Sequence, residues 1–139
     1  MSTQFATFTV DNLFFGIDVL RVQEVLRYQN VTRVPLAPEV IEGLINLRGQ
    51  IVTAIDMRRR LRLSTRPAGS MPMNLVVRAE DGAASLLVDE IGDVVEPGRD
   101  SMEPVPANVS PEARELILGV YQLKDRLLLA LDPDRTVAL

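Results

Sequence analysis

The 139-residue chain contains no cysteine, no histidine and no tryptophan. Without cysteine and histidine it cannot assemble a Ser-His-Asp triad, a thiol nucleophile or an ordinary zinc site. The usual general base near neutral pH is missing as well. Lysine occurs once, at Lys124, and the other fourteen basic side chains are arginine. Every apolar run falls well short of the roughly 20 residues a bilayer requires. The start, Met1-Ser2-Thr3-Gln4, lacks the basic and apolar regions of a signal peptide. A cytoplasmic location is the expectation, and the absence of cysteine fits a reducing compartment.

Apolar side chains make up 47% of the chain, which argues for a packed core rather than disorder. With aromatics at 4%, valine, leucine and isoleucine must build that core. Nineteen acidic against 15 basic side chains give a net charge of −4. An acidic chain with few stacking aromatics is poorly suited to nucleic acid. One local exception is Arg58-Arg59-Arg60, followed by Arg62 and Arg66. It reads either as a solvated strand end and loop or as a patch for an acidic protein partner.

The chain repeats itself. Residues 43–56 (Gly-Leu-Ile-Asn-Leu-Arg-Gly-Gln-Ile-Val-Thr-Ala-Ile-Asp) align with residues 119–132. Gly43 falls on Gly119, Leu47 on Leu123, Arg48 on Lys124 and Asp56 on Asp132. Upstream, Phe15-Gly16-Ile17-Asp18 is echoed by Leu86-Leu87-Val88-Asp89, each after a turn, Asp11-Asn12 and Glu80-Asp81-Gly82. Asn, Asp and Gly accept the positive φ of tight hairpins. Each half therefore reads as a hairpin, a crossing segment and a second hairpin. The hairpins are expected at 5–10 with 13–17, 44–48 with 51–56, 73–78 with 84–89, and 119–123 with 127–131.

Short strands at this spacing indicate small β-barrels. Helix is a minor component: a turn at 19–22 capped by Asp18, a helix over 38–44 from Pro38, and one over 112–117 after Ser110-Pro111. The stretch 22–27 fits helix or strand equally. Ser64–Pro72 and Pro97–Pro111 read as loops.

The stretch Val40-Ile41-Glu42-Gly43-Leu44-Ile45-Asn46-Leu47-Arg48-Gly49-Gln50-Ile51-Val52 strongly resembles the central motif of CheW-like domains. So does Phe15 through Val25, followed by Val31-Thr32-Arg33-Val34-Pro35, and the likeness continues through Leu87–Val94 and Gly119–Asp132. It covers nearly the whole chain in order. The resemblance implies a mainly β fold of two intertwined SH3-like five-stranded barrels with short helices. One CheW-like domain would span 1–139, with 1–63 plus the returning strand 127–133 in the first barrel and 73–126 in the second. A terminal helix seen in many relatives is expected to be absent or truncated here.

That resemblance implies an adaptor without catalytic activity, cofactor or metal. It would join the regulatory domain of a CheA-type histidine kinase to the cytoplasmic tips of methyl-accepting chemoreceptors, with neither nucleic acid binding nor membrane insertion. A helical receptor tip would lie in an aliphatic groove. By motif position, Val19, Val22 and Val25 form one wall, and Ile91 and Val94 the other. Arg48 would pair with Glu24 at the groove edge, since guanidinium holds carboxylate in a way ammonium does not. Gly43 and Gly49 read as backbone positions where a Cβ would obstruct a turn or close packing. Asp56, Met57 and Arg58 are candidates for kinase contact. The rivals are a carboxylate enzyme or ligand-binding barrel using Asp89 with Asp93, and a nucleic-acid-binding barrel.

Overall fold

The computed structural model describes residues 3–80, 82–98 and 101–139. Met1, Ser2 and Asp81, the middle residue of the expected 80–82 turn, lie outside them.

Four antiparallel hairpins form the frame. They are β1 (Phe5–Val10) with β2 (Leu13–Asp18), β4 (Ile41–Leu47) with β5 (Gln50–Asp56), β6 (Met73–Ala79) with β7 (Gly82–Val88), and β10 (Ile117–Gln122) with β11 (Leu127–Leu131). Alternation drives each one. In β5, Val52 and Ala54 face inward while Ile51 and Thr53 do not. The crossing segments become β3 (Val22–Leu26) and β8 (Glu90–Val95), which resolves 22–27 as strand. A short β9 (Met102–Glu103) joins β10.

The first hairpin of each half joins the sheet of the other half. β1 and β2 join β8, β11, β10 and β9 in one sheet, while β6 and β7 join β3, β5 and β4 in the other. The seams are parallel on one side of each exchanged hairpin, β2 with β11 and β7 with β5, and antiparallel on the other, β1 with β8 and β6 with β3. Sheet membership therefore differs from the expected division of 1–63 plus 127–133 against 73–126. Segment 22–88 supplies one sheet, and 5–18 with 90–131 supplies the other. The chain changes sheets at the short links after Asp18 and Val88, whereas the Ser64–Pro72 loop stays within one sheet. The physical reason is that both hairpins present similar apolar faces, so alternation along the strand does not say which half each should join.

One core unites the sheets. Phe8, Phe15 and Ile17 from the first pack with Ile55, Leu75 and Leu86 from the second, all essentially inaccessible. Phe8 and Phe15 stack at 5.7 Å. Each such side chain contributes roughly 1.5–3 kcal/mol on burial.

The helices are single turns. Asp18 accepts the Leu20 N–H and caps a 3₁₀ turn, Val19–Arg21. Ser110 caps α2 (Pro111–Arg114), which is shorter than expected because the chain enters β10 at Ile117. No helix forms over 38–44. Val40, Ile41 and Ile45 are β-branched, and Leu44 forms a two-way backbone bridge with Thr32 at 2.8 Å in each direction. Two helices went unread: α1 (Met57–Arg60), capped by Asp56, and α3 (Pro133–Val137), capped by Asp132. No helix among the described residues is long and apolar enough to cross a membrane.

Candidate protein-binding surface

β3 and β8 are both edge strands, one on each sheet. They carry the expected groove residues. Val22 and Ile91 are half-buried and pack against the shared core, whereas Val25 and Val94 are 42% and 52% exposed. Val19 is half-buried in the 3₁₀ turn. Ile91 lines a cleft of about 330 Å³ with Thr7, Thr9, Phe14 and Arg126. Val19, Val22, Val25 and Val94 do not line that cleft, so it does not unite the two expected walls.

Arg48 and Glu24 do meet. The Arg48 Nη1 donates to Glu24 Oε2 at 2.8 Å, linking β3 to the β4–β5 turn. In a five-stranded sheet ordered β3-β6-β7-β5-β4, this contact spans from one edge to the hairpin at the other. The carboxylate is largely covered, at 18%, and the guanidinium is 78% exposed. The turn itself has two residues, with Arg48 at φ 53° and Gly49 at φ 89°. That is the left-handed pair that matches strand twist. Asn46 Oδ1 accepts the Gly49 N–H at 2.9 Å and braces it.

Gly49 is needed for its dihedral, since a Cβ there would meet open space. Gly43 is needed for proximity. A Cβ there would lie 2.4 Å from the Thr32 carbonyl oxygen and from Val31 Cγ1.

The candidate kinase contacts are corrected by burial. Asp56 is 5% exposed, Met57 0% and Arg58 9%. The Asp56 carboxylate caps α1 by accepting the Arg58 and Arg59 N–H groups, and Met57 lies in the core. Arg58 grips Asp89 bidentately, Nε to Oδ1 at 3.0 Å and Nη2 to Oδ2 at 2.7 Å, and donates to the Ser64 carbonyl at 2.9 Å. The second Asp89 oxygen also accepts the Asp11 N–H at 2.8 Å. Burial pushes the Asp89 carboxyl upward, but Arg58, the Asp11 N–H and the Arg66 charge outweigh it and hold it below the usual carboxylate range. Asp89 is thus committed to a structural pair, which leaves the Asp89–Asp93 enzyme reading without support.

The arginine run is neither a plain solvated end nor a uniform patch. Arg58 turns inward, Arg59 reaches Asp56 and Glu39, and Arg60 donates to the Arg135 and Thr136 carbonyls of α3 and to that of Ala138 just after it. Burial lowers the Arg60 pKa. The matching of Asp56 with Asp132 carried the one signal for α1 and α3, because both aspartates are N-caps.

Two barrel-like sheets sharing one core, with aliphatic edge strands and an ion-paired rim, define a scaffold class of protein-binding domain. Residues 4–139 match the CheW-like domain model. The chemotaxis protein CheW of Klebsiella aerogenes is 30% identical over 135 residues, covering 97% of this chain and 81% of its own. That of Bacillus subtilis is 30% identical over 125 residues, covering 90% and 80%. The crystal structure of the scaffolding protein TtCheW from Thermoanaerobacter tengcongensis superposes with a TM-score of 0.86 at 26% identity, over 100% of this chain and 94% of that one. The chain belongs to the CheW-like family, and its role is that of a chemotaxis coupling scaffold.

Proposed function

We propose that this domain couples chemoreceptor cytoplasmic tips to the regulatory domain of a CheA-type histidine kinase, in the cytoplasm and at receptor clusters, by binding both and catalysing nothing. The observation that carries the reading is the Arg48–Glu24 pair. It fixes the rim beside Val22 and the exposed Val25 while leaving most of the guanidinium available to a partner. Val19, Val22 and Val25 form the principal receptor contact, with Glu24 and Arg48 at its edge. Ile91 and Val94, on the other edge strand, form a second contact. Kinase docking falls on barrel ends, and Asp56, Met57 and Arg58 are withdrawn from it because they are buried.

The test is capture of a receptor-tip fragment and of the kinase by the same chain. Arg48→Ala, at an exposed pair, lowers stability by less than about 1 kcal/mol yet weakens receptor capture roughly tenfold. Undiminished capture of both partners by Arg48→Ala and by Val22→Ser would refute the assignment.

A further inference from the structure

The turn that leads into β3 holds its place without a core of its own. None of Val19, Leu20 and Arg21 is buried, and Leu20 is 78% exposed. Apolar packing therefore does not fix this turn, and polar ties do. The Val19 N–H donates to the Gln4 carbonyl at 2.9 Å, just before β1. The Arg21 Nε donates to the Arg78 carbonyl of β6 at 2.8 Å, and the Arg78 Nη2 returns a bond to the Leu20 carbonyl at 3.3 Å. The remaining tie comes from α3. The Arg21 Nη2 donates to Asp134 Oδ1, and that oxygen also accepts the Glu80 N–H at 2.9 Å. Arg21 also lines a cleft of about 280 Å³ with Asp18, Leu118 and Tyr121, which leaves its guanidinium room to move once the carboxylate is gone.

α3 is the fixed end of that tie. Asp132 accepts the Asp134 and Arg135 N–H groups at 3.0 and 3.3 Å. Thr136 is fully buried, Val137 packs against the core, and Arg60 donates to the carbonyls of Arg135 and Thr136. The Asp134 carboxylate thus stands on a helix held at both ends, whereas the turn it reaches has no buried side chain. We propose that α3 sets the receptor-facing edge, with Asp134 and Arg21 as positioning residues that hold Val19 and Leu20 beside Val22. This rests on the assignment of Val19, Val22 and Val25 to the receptor contact, and it adds Leu20 to that surface. Neither Arg21 nor Asp134 has to touch the receptor. Both side chains are 32% exposed, and an ion pair so placed shifts a local equilibrium by up to about fivefold. Affinity scales with the fraction of turns in the competent arrangement, so that shift is read directly in binding.

A double-mutant cycle read on two partners tests the proposal. Binding of a receptor-tip fragment and of a CheA-type kinase is titrated separately for Arg21→Ala, Asp134→Ala and the double variant, with Arg48→Ala and Val22→Ser alongside. Each single change weakens receptor binding roughly fourfold, the double change does no more than either, and kinase binding stays within about twofold. Asp134→Glu, which keeps the carboxylate, retains most of the receptor affinity. Arg21→Ala leaves the Asp134 bond to the Glu80 N–H and the cap of α3 in place, so its loss is not a loss of the helix. A loss for Arg21→Ala with Asp134→Ala at native affinity makes Arg21 a direct contact and overturns the proposal. So do losses that add in the double variant, and a fall in kinase binding equal to the fall in receptor binding. Native affinity in all three variants while Arg48→Ala weakens binding overturns the role of α3 and leaves the receptor surface standing. If Arg48→Ala and Val22→Ser also bind the receptor undiminished, the receptor surface itself has failed, and the role of α3 falls with it.

Discussion

Arg58 and Asp89 illustrate how little a charged residue's sequence neighbourhood says about its environment. In sequence Arg58 opens a basic run, and Asp89 sits among other acids with nothing to mark them as partners. The fold brings them together across the two sheets, with the Arg58 side chain only 10% exposed. Asp89→Asn leaves that guanidinium short of its counter-charge and is expected to cost about 2–3 kcal/mol in urea unfolding. The pair also sets an acid limit. The folded carboxyls of Asp89 and Asp134 both lie below their ordinary values, Asp134 chiefly through its hydrogen bond from Arg21. Their stabilisation is present above the unfolded aspartate pKa of about 4. It is lost as pH falls through that value towards the lower folded ones. Thermal melts from pH 6 to pH 3 should show the native chain losing more stability than Asp89→Asn does over the same interval.

At the scale of elements, the hairpins were legible and their ends were not. Alternating valine, isoleucine and leucine around Asp11-Asn12 or Arg48-Gly49 dictates strand, turn, strand, since those turn residues take positive φ. The bulges repeat as well, between Ile41 and Gly43 in one hairpin and between Ile117 and Gly119 in the other. The expected helix at 38–44 failed because Pro38 is a permissive signal for a helix start, while pairing with Thr32 commits Leu44 to strand. The helices after β5 and β11 were overlooked because a single capped turn has no apolar periodicity to show. The two glycines should separate in experiment. Gly43→Ala forces a Cβ into the Thr32 backbone and is expected to cost about 2–4 kcal/mol. Gly49→Ala meets only dihedral strain and is expected to cost about 1 kcal/mol. Chemical denaturation of both variants measures the gap.

For the whole molecule, the internal repeat indicated two barrels, but not that the first hairpin of each half crosses to the other. Exchange follows from the short links after Asp18 and Val88, which cannot carry the chain back along a strand to a parallel neighbour in the same sheet. Strand patterning carries no term for it. Of the candidate surface, the Glu24–Arg48 pair was anticipated from the family motif and is present in the structure. The aliphatic positions are divided between half-buried Val19, Val22 and Ile91 and exposed Val25 and Val94. The Ile91 cleft contains none of the β3 valines, because β3 and β8 are edges of different sheets. The proposed helix contact is therefore assigned to the β3 edge rather than to a groove shared with β8.

The most direct measurement of the coupling role is sedimentation velocity on this chain, a CheA-type kinase and a receptor-tip fragment, alone, in pairs and all three together. Coupling predicts a species containing all three components that disappears when this chain is left out and is depleted by Arg48→Ala. A kinase–receptor complex formed equally well without the chain, or a chain that sediments alone in every mixture, contradicts it.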